Sequence, residues 1–134
     1  MVGRSRELTS MVSRVLVVDD EPELLSEVVA YLKRRGEDVI SAPCYADAKR
    51  LLDDASQDVG ILITDARMPD GNGVDLIQAV IDSPGRRKRC ILMTGHLEAS
   101  GSELTAAGVR ILYKPFSLTS LHQEVRLARE TQAG

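Results

Sequence analysis

Residues 59–73, VGILITDARMPDGNG, decide the fold. The run Val59–Thr64 ends on a carboxylate, Asp65, and soon meets Asp70-Gly71-Asn72-Gly73, a dense turn signal. A short buried run that stops at a charge it does not need reads as a parallel strand delivering a side chain to a rim. The same pattern recurs on both sides. Arg14–Val18 (RVLVV) delivers Asp19-Asp20, Arg89–Met93 (RCILM) delivers Thr94, and Val109–Tyr113 (VRILY) delivers Lys114-Pro115. In open α/β sheets ligand chemistry sits at the carboxyl ends of the strands. Three carboxylates, an amine and a hydroxyl gathered there describe a reaction centre.

Helical patterns separate these runs. Glu21-Pro22 opens the first, with proline in a first-turn position it tolerates. Leu24, Leu25, Val28, Val29 and Leu32 keep helical period and Gly36 ends it. Asp38–Ala42 reads as a second strand and Tyr45–Asp54 as a second helix. Val74–Ile81 forms a third helix, broken by Ser83-Pro84-Gly85. Residues 97–107 form a fourth, poor in large apolar residues and containing Gly101. Ser117 caps a last helix whose core face carries Leu118, Leu121, Val125 and Ala128. Five β/α units in this order imply a five-stranded, doubly wound parallel sheet of the α/β class with helices on both faces. In the flavodoxin-like strand order 2-1-3-4-5, the order expected here, the crevice opens between the carboxyl ends of strands 1 and 3, which carry Asp19-Asp20 and Asp65.

At 134 residues the chain suits one domain with its own core. Residues 14–130 form that domain. Met1–Ser13 reads as a loose polar tail, and residues 131–134 as a tail or the start of a linker. Net charge of -3 gives no reason to expect nucleic-acid binding. Cys44 and Cys90 are the two cysteines, without a CxxC or a Cys/His cluster, which argues against zinc and disulfides. Cys90, inside an apolar run, reads as a small buried hydrophobe. No stretch has membrane-spanning length, and MVGRSRELTSM lacks a signal peptide's apolar core. The expected location is the cytoplasm, with both thiols reduced.

VLVVDDEP, ILITDARMPDGNG, ILMTG and ILYKPF, in that order and each at a strand end, resemble the receiver domain of two-component response regulators. The likeness covers roughly Arg14 to Glu130, nearly the whole chain. It implies that Asp65 accepts a phosphoryl group from a sensor histidine kinase or a histidine phosphotransfer protein. It also implies Mg²⁺, bound by Asp20 and Asp65, with Asp19 ordering the shell and the backbone carbonyl of Arg67 as a further ligand. Crowded carboxylates repel one another, and a hard divalent cation relieves that cost. Lys114 would clamp the phosphoryl group, with the following bond to Pro115 cis. Thr94 would hydrogen-bond a phosphoryl oxygen, with Gly95 leaving space beside it. Arg67 and His96 occupy positions that flank the phosphoryl group and influence its lifetime. Arg67 either contacts that group or Glu98, or is merely solvated.

The resemblance further implies a switch rather than a turnover enzyme, one that biases the face of the fourth helix, fifth strand and last helix. An output domain or protein, which the sequence does not name, would read that face, and a second copy of the chain could pair through it. One departure stands out. Many receivers carry an aromatic three residues before the lysine, where this chain has Ile111, and Tyr113 shares that face of the strand. Two rivals follow. A degenerate receiver would act only as a phosphorylation-independent docking module. A haloacid-dehalogenase-like phosphatase would need Asp-x-Asp, whereas Glu21 follows Asp19-Asp20, and the chain leaves no room for a substrate cap.

Overall fold

The structure, a computed structural model, describes residues 13–83, 88–95 and 101–133. Strands β1 (Arg14–Val18), β2 (Val39–Ala42), β3 (Val59–Asp65), β4 (Arg89–Thr94) and β5 (Arg110–Tyr113) form one parallel sheet in the order β2-β1-β3-β4-β5. Helices α1 (Pro22–Arg34) and α5 (Leu118–Ala133) pack on one face. Helices α2 (Tyr45–Asp53), α3 (Gly73–Asp82) and α4 (Gly101–Ala106) pack on the other. This is the flavodoxin-like, doubly wound arrangement the sequence pattern implied, and its strand order reverses between β1 and β3.

Side-chain alternation explains the two layers of core. Val15 and Val17 of β1 join Val28, Leu32, Leu121 and Val125 beneath α1 and α5. Leu16 and Val18 join Leu76 and Ile77 on the opposite face. One irregularity shifts this alternation in β3. Arg14 pairs with Val59 but Val15 with Ile61, so Gly60 is an extra residue. The bulge turns Val59 to the side of Leu62 instead of that of Ile61.

Helix ends follow local chemistry. Gly36, at φ +90°, closes α1: its N–H donates to the Lys33 carbonyl and that of Glu37 to Leu32, both at 3.0 Å. Gly108, at φ +91°, closes α4 in the same way, with Val109 donating to Leu104 at 3.0 Å. Ser117 caps α5, its hydroxyl accepting from the Ser120 N–H at 3.0 Å.

The structure differs from the sequence reading in several places. Ser13, assigned to the tail, is buried, and its carbonyl accepts from Arg129 at 2.8 Å. The Arg129 guanidinium also grips Glu37, which ties α5 to the turn before β2. Helix α5 runs on to Ala133 because RETQA contains no residue that breaks it. A 3₁₀ turn, Ala55–Gln57, follows α2, with the Asp54 carboxylate accepting from the Ser56 N–H. The loop after Asp65 holds a two-residue antiparallel ladder, Arg67–Met68 against Gly71–Asn72. In the fourth helix, residues 97–100 lie outside the described residues.

Candidate functional site

The crevice at the strand-order reversal is built from β1 and β3. Both are buried along their length, so each can emerge only at its end. Asp19 follows β1 and is 1% exposed, while its neighbour Asp20 is exposed. Asp19 Oδ1 accepts a hydrogen bond from the Glu21 N–H at 2.8 Å. Asp19 Oδ2 is buried, has no hydrogen-bond partner among the described residues and lies 3.6 Å from Lys114 Nζ. The same ammonium is 3.3 Å from Asp65 Oδ1. Asp19, Asp20 and Asp65 each offer an oxygen within 4.8 Å of the others.

Burial pushes the Asp19 carboxyl above its ordinary 3.8; the Glu21 N–H and Lys114 pull it down, and Asp65 and Asp20 add to the rise. The group is therefore ionised at a cost that Lys114 offsets only in part. A buried carboxylate oxygen without a hydrogen bond, facing two more carboxylates, is an all-oxygen donor set of the kind a hard divalent cation takes. The residues present thus fit Mg²⁺.

Neighbouring strand ends supply the remaining groups. Asp65 pairs with Met93 across β3 and β4, which puts Thr94 one residue further along the adjacent strand. Thr94 is buried, pairs with Tyr113, and its carbonyl accepts from the Lys114 N–H at 2.8 Å. The Lys114–Pro115 peptide bond is cis. Gly95 is exposed, and among the described residues a Cβ added there would meet nothing within 4 Å.

The loop from Asp65 to α3 is held at several points. The Ala66 N–H donates to the Met93 carbonyl at 2.9 Å, and the Gly73 N–H to that of Ala66 at 2.8 Å. A Cβ on Gly73 would sit 2.0 Å from the Asp65 carbonyl oxygen, so close approach of backbone to backbone demands glycine there. Asn72 caps α3, accepting from the Asp75 N–H at 2.8 Å. Asp70 reaches out of the loop to α2, where it accepts from the Tyr45 N–H at 2.9 Å and the Ala46 N–H at 3.0 Å.

Asp19, Asp20, Asp65 and Lys114 thus converge, with Thr94 on the adjoining strand end. Arg67 is exposed in the short ladder. Ile111 is half-buried opposite Leu92 and packs against the core on the α2–α4 face, while Tyr113, on the same side of β5, is 48% exposed. His96 and Glu98 lie outside the described residues. The caps made by Asp70 and Asn72 were missed in the sequence. Asn72 stands three residues before an acidic residue in a first helical turn, a local cue. Asp70 has no such cue, because its partners lie 25 and 24 residues away.

Comparison with known proteins agrees with this geometry. The family described as "Response regulator receiver domain" matches residues 15–126. The response regulator protein PilR of Pseudomonas aeruginosa is 33% identical over 116 residues, which are 86% of this chain and 26% of PilR. The chain therefore spans about a quarter of that relative's length. Chemotaxis protein CheY1 of Helicobacter pylori is 33% identical over 122 residues, covering 88% of this chain and 98% of CheY1. Among solved structures, the signal receiver domain of a putative Luxo repressor protein from Vibrio parahaemolyticus superposes with a TM-score of 0.78 at 24% identity, covering 90% of this chain and 92% of that one, a likeness of fold. The matched profile spans the strand ends and the crevice they form, and the chain belongs to the response regulator receiver domain family.

Proposed function

We propose that Asp65 receives a phosphoryl group from a phosphohistidine on a sensor histidine kinase or a histidine phosphotransfer protein. An Asp65 carboxylate oxygen bonds to phosphorus as the P–N bond to the imidazole breaks, and the departing nitrogen takes a proton from solvent. The observation that carries this reading is Lys114 Nζ at 3.3 Å from Asp65 Oδ1, inside a cluster of three carboxylates. Lys114 pairs with the phosphoryl oxygens. Thr94 donates its hydroxyl to one of them, and Gly95 leaves them room. Arg67 and His96 tune the lifetime of the product. Asp20 and Asp65, with Asp19 behind them and the Arg67 carbonyl, would hold Mg²⁺. When bound, the ion supplies charge neutralisation for the carboxylates and the transferring group.

The module is a switch that phosphorylates and dephosphorylates itself, not a turnover enzyme, and it works in the cytoplasm. Phosphorylation biases the face of α4, β5 and α5, which an output domain or protein reads and through which two copies pair. A docking module indifferent to phosphorylation is the second reading, favoured by Ile111, which packs into the core where an aromatic switch would stand. Incubation with Mg²⁺ and acetyl phosphate separates the two. Intact-mass analysis should show one phosphoryl adduct on the parent and none on Asp65→Asn. No adduct on the parent, or an adduct that persists in the variant, overturns phosphoacceptor function.

A further inference from the structure

The loop that follows Asp65 is clamped to a helix whose own start lacks a cap. Cys44 is the N-cap residue of α2, with the extended backbone of that position (φ −154°, ψ 168°), yet its side chain makes no capping hydrogen bond. The first free N–H groups of the helix, on Tyr45 and Ala46, donate instead to the two carboxylate oxygens of Asp70 at 2.9 and 3.0 Å. The Ala46 and Tyr45 N–H groups hold the Asp70 carboxyl below its ordinary value. A second contact reinforces the first. A Cβ added to Gly71 would lie 2.7 Å from Tyr45 Cγ and 2.8 Å from Cδ2, so the ring is seated directly on the Gly71 backbone. Two backbone bonds, a side-chain hydrogen bond from Cys44 to the Asp70 carboxylate and a ring contact thus fix residues 70 and 71, which lie at and beside the turn of the ladder that pairs Arg67 with Asn72 and Met68 with Gly71.

We infer that Asp70 is a positioning residue for metal binding: through its bidentate hold on α2 it fixes the loop so that the Arg67 carbonyl completes the set of Asp20 and Asp65. This rests on the metal site proposed above and extends it to a residue that touches neither metal nor phosphoryl group. A mere helix cap would serve α2 alone. A positioning residue must instead transmit the attachment through the ladder to Arg67, and supporting groups of this kind typically govern metal affinity by about 10- to 100-fold.

The two roles separate by giving α2 a cap of its own. Mg²⁺ titration calorimetry and thermal unfolding are measured on the parent, Asp70→Ala, and the double variant Cys44→Ser with Asp70→Ala. Serine at 44 is a strong N-cap of nearly the same size. In Asp70→Ala the Mg²⁺ dissociation constant should rise about tenfold. In the double variant the thermal midpoint should recover while the raised dissociation constant remains. An unchanged Mg²⁺ affinity in Asp70→Ala, or its full recovery in the double variant, overturns the inference and leaves the metal site standing. A parent that takes up no Mg²⁺ removes the metal site and the inference with it.

Discussion

Asp19 and Asp20 are neighbours in sequence with opposite surroundings, the first 1% exposed and the second open to solvent. Burial raises the Asp19 carboxyl above 3.8, so as pH climbs past that value the unfolded chain loses this proton first. Stability falls through the interval between the two values and stays lower above it. At neutral pH the metal-free fold carries that deficit. Asp19→Asn should therefore raise the thermal midpoint at pH 7 in EDTA, and its advantage over the parent should vanish below the ordinary 3.8. Melting curves of both proteins across that range decide it, and a variant less stable at pH 7 would sink the argument. The strand-end residues were legible because each terminates a run whose apolar character makes the exception visible. Asp70 was not, because a contact 25 residues distant leaves no periodic trace. Cys90 reads the same way in sequence and structure: burial pushes its thiol up to about 12, which suits a residue that only fills space.

Elements were legible in kind and blurred at their edges. Gly36 was identified as the stop of α1, and its positive φ gives the reason: the chain turns left-handed there to return two hydrogen bonds to Leu32 and Lys33. Among the described residues no atom lies within 4 Å of a Cβ at Gly36, so the cost of substitution there is conformational. Gly36→Ala should destabilise the fold by about 1–2 kcal/mol, read from urea denaturation with an unchanged m-value. The bulge at Gly60 escaped the sequence reading, because one extra glycine in an apolar run looks like continuity. Its effect appears only in which layer Val59 joins. The short ladder after Asp65 was hidden too, since two-residue strands carry no period.

Across the whole molecule, the sheet divides two apolar layers and every central strand contributes to both. Leu121 of α5 is completely buried against β-strand side chains from this shared wall. Leu121→Ala should cost about 2–5 kcal/mol, measured by chemical denaturation, with the spread set by how far α5 can settle into the gap. The doubly wound parallel sheet was legible because alternating β and α units admit few topologies. The hold of Arg129 on Ser13 and Glu37 was not, since it joins residues 116 and 92 positions apart. The other layer is thinner at its margin. Among the described side chains of α4, Leu104 alone is buried. Burying Leu104 is worth about 1.5–3 kcal/mol, and it is the described side chain by which α4 joins this layer. A helix joined to its layer by so little buried surface opens locally at lower cost than one that fills the core.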